Sequence, residues 1–191
     1  MTGNERIITI PNAISAVRLL ALPVLVWLIL SHSNGWALTL LIIAGVSDYL
    51  DGYIARATGQ VSRIGELLDP IADRLYIACT LIAMAIVNVI PWWLVAALVL
   101  RDLIVGMFLL ALRRRGTTGL PVTFLGKTAT FLLLWGFPFL LGSATDWSIA
   151  PVAQVVGWAL VLWGTFLYWW VGLDYVRAIR TRLRAAIAPD S

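Results

Sequence analysis

The sequence predicts an all-α integral membrane protein with six transmembrane helices and a polar cavity that faces the cytoplasm. Of its 191 residues, 61% are hydrophobic and 13% are charged, whereas soluble domains are nearer half apolar and a quarter charged. The apolar residues fall into six runs, each close to the length needed to cross a hydrocarbon core of about 30 Å. The basic residues of the loops and of the tail fall on one side of the map that these runs define. This composition also excludes intrinsic disorder, because disordered chains are poor in apolar residues.

The six runs are separated by short polar or proline-containing segments. Their expected bounds are Ala13–Leu30, Trp36–Ala55, Asp69–Asn88 (or from one turn earlier), Trp92–Leu112 after Pro91, Val122–Leu141 and Pro151–Leu173 (or slightly beyond). The arginine-rich tail from Arg177 is expected to continue as a surface helix. None of them alternates in polarity as the strands of a membrane barrel do. The sequence shows no internal repeat, so we expect residues 1–191 to form a single membrane domain.

Charge placement predicts the orientation in the membrane. Lys and Arg occur at Arg6, in the Arg56–Arg63 loop, at Arg113–Arg115 with Lys127, and in the tail from Arg177, while the opposite loops contain none. By the positive-inside rule, we expect both termini and the two basic loops to face the cytoplasm, in a multi-pass protein of the inner (plasma) membrane. The net charge of +4 indicates contact with anionic membrane lipids rather than with nucleic acid.

Acidic residues cluster at the predicted cytoplasmic ends of the second and third spans. Asp48 and Asp51 are spaced i, i+3, and Asp69 and Asp73 are spaced i, i+4, so each pair shares one helix face. The loop between the spans is short, which predicts that the two pairs meet. An aspartate inside a span costs about 2.5–3.5 kcal/mol. Bound divalent cations offset that cost and recruit phosphate oxygens, so the cluster predicts a metal-bound phosphate substrate.

Simpler explanations exist for some of these residues taken singly. Asp69 before Pro70 also fits a helix N-cap, and the nearby Gly52 and Gly65 also fit close helix packing. A different functional class, an ion or proton-coupled transporter, also uses carboxylates inside membranes. Transporter sites lie near the bilayer midplane, often between inverted repeats. The position of this cluster at the ends of two consecutive spans therefore favours an enzyme.

The acidic cluster resembles a known signature. The matching pattern is Asp48-x2-Asp51-Gly52-x2-Ala55-Arg56-x8-Gly65-x3-Asp69-x3-Asp73. It is similar to that of the CDP-alcohol phosphotransferase family, and the opening segment Ile10–Arg18 is typical of its bacterial phosphatidyltransferases. The resemblance implies transfer of a phosphatidyl group from CDP-diacylglycerol to an alcohol, with release of CMP. It also implies a homodimer.

The same resemblance assigns roles to individual residues. It implies a centre of two divalent cations, Mg²⁺ with Mn²⁺ as the other candidate, held by Asp48, Asp51, Asp69 and Asp73. Asp73 is also the expected catalytic residue, as the general base on the acceptor hydroxyl. The CDP moiety is expected along Asp51, Gly52, Ala55, Arg56, Ser62 and Gly65.

The acceptor alcohol is less constrained. Candidate acceptor-binding residues are Arg18, Arg101, Arg113, Arg114 and Lys127, although Arg101 and Asp102 also fit a self-neutralising structural pair. Phosphatidylglycerophosphate synthases, which use glycerol 3-phosphate, typically carry a second arginine at the position of Leu109. Cardiolipin synthases, which use phosphatidylglycerol, show an Arg-Asp pair, a later basic cluster, and Pro-x-Thr-Phe followed by lysine, as at Pro121–Lys127. The sequence therefore favours phosphatidylglycerol, with glycerol 3-phosphate as the alternative and inositol phosphates less favoured.

Overall fold

The structure, a computed structural model, describes the chain at residues 10–58, 63–114 and 123–185, with side chains at 17, 19–47, 75–112 and 123–181. All regular secondary structure in these ranges is α-helical. The six helices are α1 Ile10–Leu30, α2 Asn34–Thr58, α3 Arg63–Ile86, α4 Trp92–Arg114, α5 Phe124–Ser143 and α6 Ala150–Ala185. Contacts divide the chain into two compact units, Met1–Ile90 and Pro91–Ser191; the expectation of a single domain stays a prediction.

The predicted helix count is confirmed, and of the two starts expected for the third helix the earlier is nearer to the observed one. Helix α3 begins at Arg63, so Asp69 lies inside helical backbone and the interpretation of this residue as an N-cap is wrong. Helix α6 continues to Ala185, so the helical conformation predicted for the arginine-rich tail is confirmed, and the tail follows the apolar span without a break. The length of an apolar run indicates how much of a helix can face lipid, not where the helix ends. Arginine is itself a good helix former, so the helix can continue beyond the apolar run.

In the first unit, α1 packs against both α2 and α3. Leu25, Ile29 and Met84 are fully buried. His32, with φ of 57°, ends α1 in the left-handed conformation, and the amide of Ser33 donates to the carbonyl of Leu28 at 2.9 Å. Such caps satisfy carbonyls that would otherwise lack partners.

In the second unit, α6 packs against α5 and α4. The Thr123 hydroxyl accepts a hydrogen bond from the Gly126 amide at 3.2 Å, which caps α5 and explains why the helix begins at Phe124. Helices α5 and α6 approach closely at Gly136. A Cβ atom added there would lie 2.6 Å from Cγ2 of Val161 and 3.2 Å from its backbone nitrogen.

The surface of these helices is suited to lipid. Large apolar side chains are widely exposed, among them Leu20 at 75%, Trp36 at 72% and Val155 at 72%. Within the described ranges, three helical segments are long and apolar enough to cross a membrane, at Trp92–Leu112, Phe124–Ser143 and Ala150–Thr181. Shorter apolar stretches occur at Leu19–Leu30, Asn34–Ser47 and Leu75–Ile86. The chain is therefore a helical membrane protein.

The close approach at Gly136 predicts the effect of a small substitution. Gly136→Ala should lower the free energy of unfolding by about 1–3 kcal/mol, because the new methyl group overpacks the contact with Val161. Unfolding in detergent, followed by tryptophan fluorescence, measures this.

Gly106→Ala is the matched control, because a Cβ atom at this helical glycine has no neighbour within 4 Å. We expect it to be neutral or slightly stabilising. Equal destabilisation by the two variants would contradict the packing explanation.

Candidate functional site

The aspartate pairs lie in regular helix. Asp48 and Asp51 are in α2, and Asp69 and Asp73 are in α3, so the helical spacing assumed for each pair is present in the backbone. Both helices belong to the unit in which α1 packs against them. The side chains of these four aspartates lie outside the described residues.

The predicted CDP-binding residues follow the same division. Asp51, Gly52, Ala55 and Arg56 are in α2, and Gly65 is in the first turn of α3. Ser62 lies outside the described ranges, and none of these side chains is described.

The chemistry of the donor set fits hard divalent cations. Four carboxylates supply oxygen ligands, which Mg²⁺ and Mn²⁺ prefer, and helical spacing keeps each pair on one face. Among the side chains that the structure describes, no group of three or more His, Cys, Asp or Glu forms a metal site. The aspartate set lies outside that search, so its metal number and type stay predictions.

The candidate acceptor residues are spread over three helices. Arg18 is in α1, and Arg113 and Arg114 end α4; their side chains lie outside the described residues. Lys127 is exposed in the first turn of α5. Arg101, in α4, is only 8% exposed. Its side chain makes hydrogen bonds, an ion pair and an aromatic contact.

Arg101 is held by a polar network between α4 and α6. Its Nε donates to the backbone carbonyl of Tyr168 at 3.1 Å, and its Nη1 donates to Oδ1 of Asp102 at 3.2 Å. The Tyr168 hydroxyl donates to the same Oδ1 at 2.5 Å. The guanidinium carbon lies 3.7 Å from the centroid of the Tyr168 ring, within the range of a cation–π interaction. The structural pair considered for Arg101 and Asp102 is thus present.

The absence of a side chain at Gly172 makes room for this network. A Cβ atom added there would lie 2.9 Å from Nε of Arg101 and 3.3 Å from its Cγ. Tyr168 and Gly172 are four residues apart and share one face of α6. The approach of α6 to the Arg101 side chain therefore depends on glycine at this position.

Arg101 also lines a groove between α4 and α6. The groove has a volume of about 220 Å³, and its walls are largely apolar, with Phe108 and Leu173 among them. Arg177 and Arg180 line it as well, and the Arg180 guanidinium carbon lies 5.2 Å from the Phe108 ring centroid. Three arginines on an apolar groove suit an amphiphilic anion.

The sequence did not identify Tyr168 or Arg180 as part of this arrangement. Arg180 was grouped with a tail expected to contact membrane lipid. A usable signal was present, since Tyr168, Gly172, Val176 and Arg180 are each four residues apart. Their partners lie in another helix, more than sixty residues away, and spacing within α6 cannot identify them.

The network predicts unequal effects from two similar carboxylate deletions. Asp102→Ala should lower the free energy of unfolding by about 1–3 kcal/mol, because it removes a partner from a buried guanidinium. Unfolding in detergent measures the difference.

Asp174→Ala is the comparison. Asp174 pairs with Arg177 at 3.4 Å, and both side chains are more than half exposed. Removing an exposed pair should change stability by less than about 0.5 kcal/mol. If the two variants lose the same stability, Arg101 does not depend on Asp102.

Comparison with known proteins supports the signature match. A model of the family described as CDP-alcohol phosphatidyltransferase matches residues 8–170. The chain is 46% identical over 192 residues to a Streptomyces coelicolor protein named "Cardiolipin synthase (CMP-forming)", covering 97% of this chain and 89% of the relative. It is 42% identical over 172 residues to a Mycobacterium tuberculosis protein named "Putative cardiolipin synthase", with coverage of 90% and 82%.

A relative with a different name also matches. This second Mycobacterium tuberculosis protein, named "Probable phosphatidylglycerophosphate synthase", is 32% identical over 141 residues, with coverage of 69% of this chain and 65% of the relative. The names of these relatives correspond to the two enzyme classes that the sequence favoured, of the three that it left open.

Proposed function

The chain belongs to the CDP-alcohol phosphatidyltransferase family, and from that premise we propose that it transfers a phosphatidyl group from CDP-diacylglycerol to phosphatidylglycerol, forming cardiolipin and CMP. Membership confirms the resemblance found in the signature and makes the chain a CDP-diacylglycerol-dependent phosphatidyltransferase. The observation that carries the choice of acceptor is the similarity, over nearly the whole chain, to the relative named cardiolipin synthase.

The charge of the groove between α4 and α6 supports a lipid acceptor. Arg101 is matched by Asp102, and Arg177 lies beside Asp174. Among the described residues, Arg180 is the groove arginine with no carboxylate partner. One unmatched cation suits the single charge of a phosphodiester such as phosphatidylglycerol, and the apolar walls suit its acyl chains. Glycerol 3-phosphate carries up to two charges and has no apolar part.

The proposed reaction exchanges one phosphorus–oxygen bond for another. A hydroxyl oxygen of phosphatidylglycerol attacks the phosphatidyl phosphorus of CDP-diacylglycerol, the bond to the bridging oxygen of the diphosphate breaks, and CMP leaves. Asp73 takes the hydroxyl proton as general base. Asp48, Asp51 and Asp69, with Asp73, would hold two divalent cations, which when bound neutralise the diphosphate and orient the attack.

The membrane arrangement belongs to the same proposal. We infer six spans, with both termini and the aspartate pairs on the cytoplasmic side of the inner membrane, because the basic residues of the loops and of the tail lie on one side of the helix map. A homodimer follows from the family resemblance. Gly52, Ala55, Arg56, Ser62 and Gly65 would lie along the CDP moiety, and Lys127 and Arg101 would face the acceptor.

The acceptor is tested with purified protein, CDP-diacylglycerol and Mg²⁺. Phosphatidylglycerol and glycerol 3-phosphate are supplied in separate reactions, and both the lipid product and the released CMP are identified. We expect cardiolipin and CMP with phosphatidylglycerol, and no product with glycerol 3-phosphate. Phosphatidylglycerophosphate formed only from glycerol 3-phosphate would overturn the proposed acceptor but keep the family chemistry.

The general base is tested by Asp73→Asn. The amide cannot accept the hydroxyl proton, so transfer should be abolished while CDP-diacylglycerol still binds, as measured by direct binding to the protein in detergent.

Asp146→Asn removes a carboxylate from an exposed loop position and should leave activity unchanged. An Asp73→Asn enzyme that still forms cardiolipin would refute the role of Asp73 as base.

A further inference from the structure

We propose that Tyr168 is a positioning residue, whose hydroxyl acts through Asp102 to hold the Arg101 guanidinium in the orientation that binds the acceptor phosphate. The inference deepens the proposed function and rests on it, because Arg101 is an acceptor-binding residue only there. It assigns a role in substrate recognition to a tyrosine that neither the family signature nor the acceptor candidates contain.

The geometry of a helix gives Tyr168 this role. Arg101 and Asp102 are consecutive, and consecutive side chains on a helix point about 100° apart, so neighbours at i, i+1 do not face each other. Yet Nη1 of Arg101 lies 3.2 Å from Oδ1 of Asp102. The Tyr168 hydroxyl donates to that same oxygen at 2.5 Å. A donor on α6 thus draws the carboxylate toward the guanidinium.

Tyr168 holds the guanidinium itself in two further ways. Its carbonyl accepts the Nε hydrogen bond at 3.1 Å, and its ring lies under the guanidinium carbon at 3.7 Å. The carbonyl and ring limit the position of the group. The carboxylate, fixed by the hydroxyl, limits its rotation.

The held guanidinium keeps donors for a ligand. Arginine has five N–H groups in a fixed planar fork, and the two hydrogen bonds described use Nε and one N–H of Nη1. The remaining donors include both on Nη2. Arg101 lines the groove, with Arg180 on the same lining. An orientation imposed from α6 therefore decides where the remaining N–H groups point.

The Tyr168 hydroxyl also affects the net charge around Arg101, because it helps to hold Asp102 beside the guanidinium. A carboxylate kept on Nη1 leaves Arg101 as a directed donor with little excess charge. Loss of the Tyr168 hydroxyl removes one of the donors that hold Oδ1 of Asp102, whose side chain is one-third exposed. The position of the carboxylate on Nη1 of Arg101 would then be less restricted, and the guanidinium would be less well oriented.

The test is Tyr168→Phe, which keeps the ring and the backbone carbonyl and removes only the hydroxyl. Initial rates are measured in mixed micelles with the mole fraction of phosphatidylglycerol varied at saturating CDP-diacylglycerol, and then the reverse. We expect the KM for phosphatidylglycerol to rise about tenfold, the size of one hydrogen bond to a charged group. The KM for CDP-diacylglycerol should not change.

A double-mutant cycle shows whether Tyr168 acts through Arg101. Arg101→Lys keeps the charge but loses the fork and Nη2, so Tyr168→Phe should have almost no further effect on the phosphatidylglycerol KM in that background. Trp163→Phe is the control, since Trp163 is an exposed aromatic residue of α6 outside the network, and its KM values should equal those of the unmodified enzyme.

Three results would overturn the proposal. They are an unchanged phosphatidylglycerol KM in Tyr168→Phe, equal rises for both substrates as a general loss of structure would cause, and a full tenfold effect in the Arg101→Lys background. Failure of the proposed function is a separate result, because the unmodified enzyme would then form no cardiolipin. In that case the KM of the unmodified enzyme and of Tyr168→Phe would be compared for the alcohol that the unmodified enzyme does use. An unchanged KM for that alcohol would again refute the role of Tyr168.

Discussion

A buried guanidinium in an apolar helix is the constraint on which the second unit depends. Arg101 lies nine residues into α4, about 14 Å along the axis of a helix that is long and apolar enough to cross a membrane. A buried charge in such a helix is tolerated only when it is paired. Asp102 and Tyr168 provide the pairing, and it requires α6 to come close. Gly172 permits this approach, so one buried charge sets the packing of two helices.

The two groups of charged residues in this protein are balanced by different means. No Lys or Arg lies three or four residues from any of the four aspartates of α2 and α3. The proposed cations would offset the negative charge of these carboxylates. Arg101 has its counter-charge in the next residue. A charge neutralised by a bound ion is suited to binding phosphate. A charge neutralised by the protein keeps its place whether or not a ligand is bound, and this suits it to orienting one.

Much of the fold could be predicted because lipid imposes a simple requirement on helices. Apolar run length predicted all six helices and most of their ends. Of the two starts predicted for α3, the one at Asp69 is wrong, because Asp69-Pro70 is a strong local start signal, yet the backbone is helical from Arg63. The donor site stays a prediction, which rests on the spacing of the aspartates within α2 and within α3. The Tyr168 contact could not be predicted, because its partner is 66 residues away in the sequence and the pairing exists only once α4 and α6 pack.

Counting arginines therefore does not predict the acceptor. The sequence contains many cations near the predicted cytoplasmic side, and each is a candidate for an anionic substrate. Packing lowers the number of cations without a counter-charge, because Asp102 neutralises Arg101 and Asp174 lies beside Arg177. The binding of a phosphate depends on the positive charge that remains after such pairing, and on the direction of the N–H groups that are still available. In the proposed function, selection between a phosphodiester lipid and a smaller phosphate monoester would then depend on carboxylates and a tyrosine as much as on the arginines themselves.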